Sequence, residues 1–257
     1  MLKYFTYKVV FFILAFPLAF ASWNSSYWWV WIILFVTLFI TGLFLGSVYI
    51  GSGFYIDVVC RALPEQRAIA LTFDDGPHPD QTEKVLEVLR KHDIKACFFC
   101  IGKNADAYKD LLKKIDAEGH IIGNHSFSHA FWFDLFPLKK MREEIVNTNI
   151  LISEVIGKNM RLFRPPYGVT TPNLAKAIKR TGMVPVGWSL RTFDTVAKGD
   201  IKKISKKLNR VKPGDVVLFH DHSVNLPEIL NEFIIQLKKN NIEIIRFDEL
   251  TNIKAYV

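Results

Sequence analysis

Two adjacent carboxylates follow the apolar run AIALTF at residues 68–73. Asp74 and Asp75 stand in LTFDDGP, residues 71–77. Two carboxylates after a buried strand are costly unless they are paired or bind a metal ion. Adjacent side chains diverge, so one carboxylate can bind a metal ion while the other accepts a proton. Taken alone, the motif is equally typical of a loop that leads into a helix.

Two histidines form a second motif, in GNHSFSH at residues 123–129. His125 and His129 have i, i+4 spacing, which would place both on one face of a helical turn and suits chelation of one divalent ion. Two imidazoles and one carboxylate leave positions open for water and substrate, as catalytic sites do. An H-x-x-x-H motif by itself is weak, and two unrelated histidines are the plain alternative.

Three further motifs carry polar residues after apolar runs. RPPYG begins at Arg164, and its rigid turn could direct a backbone N–H at a developing oxyanion. WSLRTFD runs from Trp188 to Asp194. His220 leaves the run VVLF, and a histidine with an ordinary pKa of about 6.5 suits a general acid. An ordinary loop and a packed core histidine are the alternatives.

From residue 68 the chain alternates apolar runs with amphipathic stretches, which predicts parallel strands joined by right-handed helical crossovers. The predicted strands are Ala68–Phe73, Ala96–Ile101, Ile121–Gly123, Arg161–Arg164, Val184–Trp188, Val216–Phe219 and Ile242–Arg246. The predicted helices are Gln81–Lys91, Ala105–Glu118, Leu138–Ile156, Pro172–Thr181, Ile201–Asn209 and Pro227–Lys239. Seven such strands suit a closed or nearly closed barrel. Chemistry in such barrels gathers where strands end, and all five motifs fall at those points.

In this order, the five motifs resemble the polysaccharide deacetylase family, the NodB-homology or carbohydrate esterase family 4 domain, over about residues 68–250. The resemblance implies an α/β fold, a distorted (β/α)7-type barrel. It also implies a hydrolase that acts on carbon–nitrogen bonds other than peptide bonds. Such an enzyme removes N-acetyl groups, sometimes O-acetyl groups, from carbohydrates with a divalent metal ion, commonly zinc.

The resemblance also implies roles for residues at the matching positions. The implied metal ligands are Asp75, His125 and His129. The implied catalytic residues are Asp74 as general base, His220 as general acid, Arg164 holding Asp74, Asp194 orienting His220, and Tyr167 through its backbone N–H. The chain departs from the family at Thr195, where a tryptophan is common, and at Arg191, where an acidic residue is common. Both departures bear on the substrate.

No charged residue occurs between Lys8 and Asp57. Apolar runs at 9–21 and 30–50 flank a loop that, with its borders, holds four of the six tryptophans. This predicts a transmembrane helical hairpin. We therefore expect a membrane anchor at 1–56, a connector at 57–67 and a deacetylase domain at 68–257. A cleaved signal peptide, or a single span at the second run, is the alternative.

Lysines and arginines flank both outer ends of the hairpin but not its loop, so the positive-inside tendency favours a cytoplasmic domain. The family's habit favours an extracytoplasmic one.

The composition excludes a disordered chain, a collagen-like repeat and a disulfide scaffold. The net charge is +8, yet no nucleic-acid-binding motif accompanies it, so the expected partners are a carbohydrate and a lipid membrane. Cys97 and Cys100 fall on one predicted strand, where positions i and i+3 face opposite ways, so we expect two core thiols.

The predicted function is metal-dependent N-deacetylation of an amino-sugar polymer or oligomer. One alternative is deacylation or deformylation of a lipid-linked amino sugar at the membrane. The other is a non-catalytic carbohydrate-binding barrel. A serine hydrolase is disfavoured because G-x-S-x-G is absent.

Overall fold

The computed structural model describes residues 3–63, 67–195 and 201–257. Its first two helices are α1, Tyr4–Ser22, and α2, Trp28–Val48. They pack against each other through Tyr7, whose hydroxyl donates to the Phe39 carbonyl at 3.0 Å. Both helices are long and apolar enough to cross a membrane, a property that a signal sequence near an N-terminus shares. The hairpin shape is confirmed, and its insertion in a membrane stays a prediction.

In the described part of the chain, eight strands and eight more helices follow. The strands are β1 Ala68–Asp74, β2 Cys97–Cys100, β3 Ile121–Asn124, β4 Leu162–Phe163, β5 Val184–Pro185, β6 Leu190–Arg191, β7 Val216–His220 and β8 Glu243–Ile244. The helices are α3 Thr82–Lys91, α4 Gly102–Ala107, α5 Lys109–Ala117, α6 Leu138–Ile156, α7 Pro172–Thr181, α8 Ile201–Leu208, α9 Leu226–Lys239 and α10 Phe247–Thr251. Short 3-10 turns lie at Ile50–Ser52, Phe133–Leu135 and Pro166–Gly168.

Every strand pair is parallel, in the order β5-β4-β3-β2-β1-β7-β6, with β8 beside the start of β1. The ends of this order are joined by one run of chain, residues 184–191. Its first half pairs with β4 and its second half pairs with β7. The sheet therefore curls back on itself, and the predicted distorted (β/α)7-type barrel is confirmed.

The structure differs from the predicted elements in three places, one of which is the short helix α10, which was not predicted. The helix predicted at Ala105–Glu118 is two helices, because Tyr108 has φ −126° and interrupts the helical backbone between α4 and α5. The strand predicted at Val184–Trp188 is shorter and is followed by β6, which was not predicted because Leu190 and Arg191 lie among polar residues and form no apolar run.

Strand β1 is buried along its whole length, and its alternation explains the two layers of the core. Phe73 points toward the helices, where its ring stacks on Phe98 at 4.9 Å and on Phe219 at 5.8 Å. Ala70 packs in the other cluster, with Phe99 of β2. Asp74 lies four residues after Ala70 on the same strand. Because strand side chains alternate, it shares the face of Ala70 and lies inside the barrel.

Cys97 and Cys100 pack in different core clusters, Cys97 with the inner residues and Cys100 with the helix-facing ones. Both thiols are free and buried. The prediction of two core cysteines on opposite faces is therefore confirmed.

The connector lies along the barrel wall. The Val59 N–H donates to the Pro185 carbonyl at 3.0 Å, and the Gly187 N–H donates back to Val59 at 2.9 Å. Further along, Arg61 pairs with the buried carboxylate of Asp215. The contacts of Val59 thus hold the closing run, residues 184–191, near β5. The contact of Arg61 fastens the chain to the residue that precedes β7.

The open end of the hairpin rests on the barrel. The Thr170 N–H, in the loop after β4, donates to the Ser47 carbonyl of α2 at 3.0 Å. The Tyr4 N–H donates to the Phe54 carbonyl at 2.9 Å, and Lys3 pairs with Asp57 at 2.7 Å. The last turn of α2 is therefore fastened to a loop at the carboxyl end of the sheet.

Candidate active site

The eight site residues predicted from the sequence lie at the carboxyl ends of five strands and in the adjoining loops. Asp74 ends β1, His220 ends β7, and the two residues are direct partners in the parallel register. His125 follows β3 and Arg164 follows β4. Six of the eight line one cavity of about 240 Å³, and the other two, Arg164 and Asp194, lie buried behind it.

Asp74 is held by an arginine that is fully buried. Arg164 Nη1 donates to Asp74 Oδ1 at 2.7 Å and to Thr72 Oγ1 at 2.8 Å. Its Nη2 donates to the Gly187 carbonyl at 2.7 Å, and its guanidinium lies 4.1 Å from the ring centroid of Phe99. A buried ion pair is tolerated only when its remaining donors are satisfied, as they are here. This arrangement leaves Asp74 Oδ2 free of Arg164 and 3.7 Å from His125 Nε2.

Asp75, His125 and His129 converge on one point. Asp75 Oδ1 lies 3.5 Å from His125 Nε2 and 3.4 Å from His129 Nε2, and one donor atom from each residue lies within 4.8 Å of the others. Asp75 Oδ1 is buried without a hydrogen-bond partner. A carboxylate and two imidazoles are suitable ligands for a divalent ion such as zinc, and an ion there would satisfy the orphaned oxygen.

The histidine environments also suit metal binding. His125 Nδ1 lies 2.8 Å from the Arg164 carbonyl, so donation from Nδ1 leaves the Nε2 lone pair free for an ion. Burial and the neighbouring His125 lower the pKa of His129 to about 4, so its imidazole is neutral near pH 7. Burial raises the pKa of Asp75, but the neighbouring His125, His129 and His220 outweigh burial and keep that pKa well below its usual range.

Several residues at the site adopt a left-handed backbone conformation, with positive φ, that residues other than glycine rarely take. The residues with positive φ at the strand ends are Asp75 (74°), Ser126 (63°), His129 (46°), Tyr167 (58°) and Phe193 (60°). Each left-handed residue other than glycine costs about 1–3 kcal/mol and persists only where its surroundings enforce it. Such strain is typical of functional sites.

The expectation that His125 and His129 share a helical turn is wrong. Ser126 and His129 have positive φ, which a right-handed helix does not allow. The loop is instead held by Glu144, whose carboxylate accepts the N–H groups of Phe127 and Ser128. The two imidazoles meet because of this loop conformation.

His220 is oriented by Asp194. His220 Nδ1 lies 2.8 Å from Asp194 Oδ1, and the His220 backbone N–H donates to Oδ2 at 2.8 Å. Burial lowers the pKa of His220, but the Asp194 carboxylate outweighs burial and raises that pKa above its usual range. Thr192, which the sequence did not single out, has its hydroxyl within hydrogen-bond distance of Asp194 Oδ1, at 3.0 Å, and of the Leu218 carbonyl, at 2.8 Å, and can donate to either.

Tyr167 lies in the turn after β4, as the Pro-Pro-Tyr-Gly motif predicted. Its ring centroid is 4.8 Å from that of His129. Gly168 follows with φ 72°, and a Cβ there would lie 2.3 Å from the Trp188 ring. The close approach of Trp188 therefore requires glycine at this position.

Two residues that sequence reasoning did not assign as ligands border the cluster. His222 Nδ1 lies 3.5 Å from Asp75 Oδ2 and its side chain lines the cavity. Asp221 is buried and accepts a hydrogen bond from Thr82 Oγ1 at 2.6 Å, and burial with the charge of Asp75 raises the pKa of Asp221 to about 7. The sequence signal that could have identified both residues is their position directly after His220.

Three comparisons bear on these features. The sequence model of the polysaccharide deacetylase family matches residues 62–186. A chitooligosaccharide deacetylase from Azorhizobium caulinodans is 34% identical over 162 residues, which cover 63% of this chain and 77% of the relative.

Two solved structures share the fold. A peptidoglycan N-acetylglucosamine deacetylase has a TM-score of 0.73 and 29% identity, covering 77% of this chain and 94% of its own. A CE4 family pseudoenzyme from Bacillus anthracis has a TM-score of 0.69 and 26% identity, covering 74% of this chain and 67% of its own. With the family match and the shared barrel, these similarities show that the chain belongs to the polysaccharide deacetylase family.

Proposed function

We propose that this protein is a metal-dependent carbohydrate deacetylase that hydrolyses the N-acetyl amide of an amino sugar. The observation that carries the proposal is the position of Asp74 and His220 beside Asp75, His125 and His129 in one cavity. A proton acceptor, a proton donor and a metal-ligand set are the groups that amide hydrolysis needs. The chitooligosaccharide and peptidoglycan deacetylases among its relatives support the substrate class.

An amide is a poor electrophile with a poor leaving group, so each step needs its own assistance. A divalent ion held by Asp75, His125 and His129, zinc by analogy with the family, would polarise the acyl oxygen and lower the pKa of a water molecule. Asp74 accepts the proton of that water through Oδ2, because Oδ1 is engaged by Arg164. Arg164 thereby fixes the direction of proton transfer.

The amine must leave with a proton, and His220 supplies it. Its Nδ1 is engaged by Asp194, so Nε2 is the nitrogen that donates. The raised pKa keeps a larger fraction of His220 protonated near neutral pH. The backbone N–H of Tyr167 donates to the acyl oxygen as negative charge develops there.

The Bacillus anthracis relative is described as a pseudoenzyme, which supports the alternative of a non-catalytic barrel. In this chain the buried pairs of Arg164 with Asp74 and of Asp194 with His220 are both complete. Sugar binding alone needs neither pair, so their presence favours catalysis.

We also propose that residues 1–56 anchor the enzyme in a membrane, with 57–67 as connector and 68–257 as the catalytic domain. The anchor's last turn is hydrogen-bonded to Thr170, three residues beyond Tyr167. The cavity therefore opens near the level at which α2 leaves the membrane. Next to it, Phe131 and Trp132 are 71% and 64% exposed, and aromatic side chains favour the membrane interface.

This placement favours a second candidate substrate, an acylated amino sugar carried on a membrane lipid. A cytoplasmic domain, which the lysine and arginine pattern favours, would meet such a substrate but not a wall polymer. The side of the membrane therefore separates the two substrate classes.

Replacing the proton acceptor should stop the reaction. In full-length enzyme purified in detergent, Asp74→Asn should lower kcat/KM for acetate release from N-acetylchitooligosaccharides by about 10²–10⁴-fold. Asp110→Asn, at a fully exposed carboxylate on α5, is the matched control and should retain the wild-type rate. Near wild-type turnover by folded Asp74→Asn would exclude Asp74 as the base.

Removing a ligand should remove the ion. We expect about one divalent ion per chain in the wild type by plasma mass spectrometry, and much less in His129→Ala. Dipicolinate should abolish acetate release, and zinc should restore it in the wild type but not in the variant. His92→Ala, on the far side of the domain from the cluster, should bind metal normally, and full metal content in His129→Ala would contradict the assignment.

Removing the carboxylate behind His220 should shift the pH profile. His220 acts in its protonated form, so activity falls as pH rises through its pKa. Asp194 raises that pKa, so Asp194→Asn should move the alkaline limb of the kcat/KM profile to lower pH. An alkaline limb that stays in place would show that His220 is not the acid or that Asp194 does not tune it.

Cysteine labelling should show on which side of the membrane the catalytic domain lies. In a Cys60→Ser background, Ser25→Cys in the hairpin loop should react with an impermeant maleimide in intact spheroplasts. Val257→Cys, also exposed, should react only after permeabilisation. Labelling of Val257→Cys in intact spheroplasts would place the domain outside and favour a wall polymer.

A further inference from the structure

Arg191 projects into the catalytic cavity from the strand that closes the barrel. It is the second residue of β6 and pairs with Leu218 of β7. Its neighbour Leu190 packs against the helix-facing core, so strand alternation turns Arg191 the other way. Arg191 accordingly lines the same cavity as Asp75 and His220.

The guanidinium of Arg191 is held by aromatic rings. Its Cζ lies 4.9 Å from the ring centroid of Phe193 and 5.6 Å from that of Trp188. Its Nε is buried and has no hydrogen-bond partner. Stacking therefore fixes the plane of the guanidinium and leaves N–H donors available to a ligand.

A second cation contacts the same aromatic ring. Lys207 of α8 places its Nζ 3.2 Å from the ring centroid of Phe193. In the part of the chain that the structure describes, neither Arg191 nor Lys207 has a carboxylate within 4.0 Å. Phe193 itself has φ 60°, so a strained backbone holds the ring beside both cations.

We propose that Arg191 and Lys207 form a subsite for an anionic group, a carboxylate or a phosphate, on the amino-sugar substrate. The proposal rests on the proposed deacetylase function and narrows its substrate to acidic carbohydrates. Two like charges beside one ring repel each other, and an anion between them removes that repulsion. The planar guanidinium matches two oxygens of a carboxylate or phosphate, and the ammonium adds a point charge.

The position of the subsite limits where the anion lies on the substrate. Arg191 and the Asp75, His125 and His129 cluster share a cavity of about 240 Å³. The anion is therefore on the sugar that carries the N-acetyl group or on its direct neighbour. A carboxylate would come from an acidic sugar of a polymer, whereas a phosphate would come from a sugar 1-phosphate or its lipid ester.

The test measures binding apart from catalysis. Full-length Asp74→Asn enzyme in detergent is titrated by calorimetry with three ligands: neutral N-acetylchitotetraose, the same tetramer as its 1-phosphate, and a tetrasaccharide containing N-acetylmuramic acid. We expect at least one acidic ligand to bind roughly tenfold or more tightly than the neutral one. The tighter of the two acidic ligands identifies phosphate or carboxylate as the natural group.

Variants of Arg191 and Lys207 test whether the subsite causes the preference for acidic over neutral ligands. Arg191→Gln in the same background should bring the ratio of neutral to acidic Kd close to one. Arg191→Lys, which keeps the charge but not the planar fork, and Lys207→Gln should each retain part of the preference. Lys202→Gln, at an exposed lysine of the same helix, is the control and should leave the ratio unchanged.

Two results would overturn the subsite: equal binding of neutral and acidic ligands when Arg191 is present, or a full preference retained in Arg191→Gln. Acetate release by the wild type is measured separately on the same three compounds. Absence of acetate release with an Arg191-dependent preference would reject the deacetylase function and keep the anion subsite.

Discussion

The buried ion pair between Arg164 and Asp74 is the constraint on which the rest of the site depends. Breaking a buried pair by removing one partner costs about 3–5 kcal/mol, because the remaining charge is left without compensation. Arg164 spans the barrel interior from the end of β4 to the end of β1, and it also binds the Gly187 carbonyl in the closing run. Its own carbonyl is the partner of His125 Nδ1. One residue therefore sets the positions of the proposed proton acceptor and of a proposed metal ligand.

Around this pair the loops adopt strained backbone conformations, and packing of the barrel offsets the energetic cost. Asp75 and His129 adopt left-handed backbone conformations, and Glu144 of α6 holds the loop between His125 and His129 through two backbone N–H groups. The cost is offset by helices packed on a strand that is buried along its whole length. A stable barrel thus maintains three side chains in an arrangement that a free loop would not keep.

The barrel and the position of the site could be predicted from the sequence because both follow from periodicity. Apolar runs long enough to be buried mark the strands, and polar residues at their ends meet because parallel strands end on one side. The histidine turn was mispredicted because spacing alone cannot distinguish a helical turn from a strained loop enforced by Glu144. Strand β6 was not predicted because Leu190 and Arg191 lie among polar residues and form no apolar run, and without that strand the direction of the Arg191 side chain could not be predicted. Contacts of Arg191 with Trp188 and Phe193 depend on tertiary packing that no local pattern encodes.

The anchor and the cavity constrain the substrate jointly. The hydrogen bond from Thr170 to Ser47 ties the last turn of α2 to the loop that carries Tyr167, so the domain cannot turn freely on its tether. In the proposed membrane-anchored enzyme, the substrate would then present its acyl group close to the membrane surface. Two cations beside Phe193 favour a sugar that carries negative charge, and one of them, Arg191, lines the same cavity as two carboxylates and four imidazoles. An acidic amino sugar held at a membrane satisfies both requirements, whereas a neutral soluble oligomer satisfies neither.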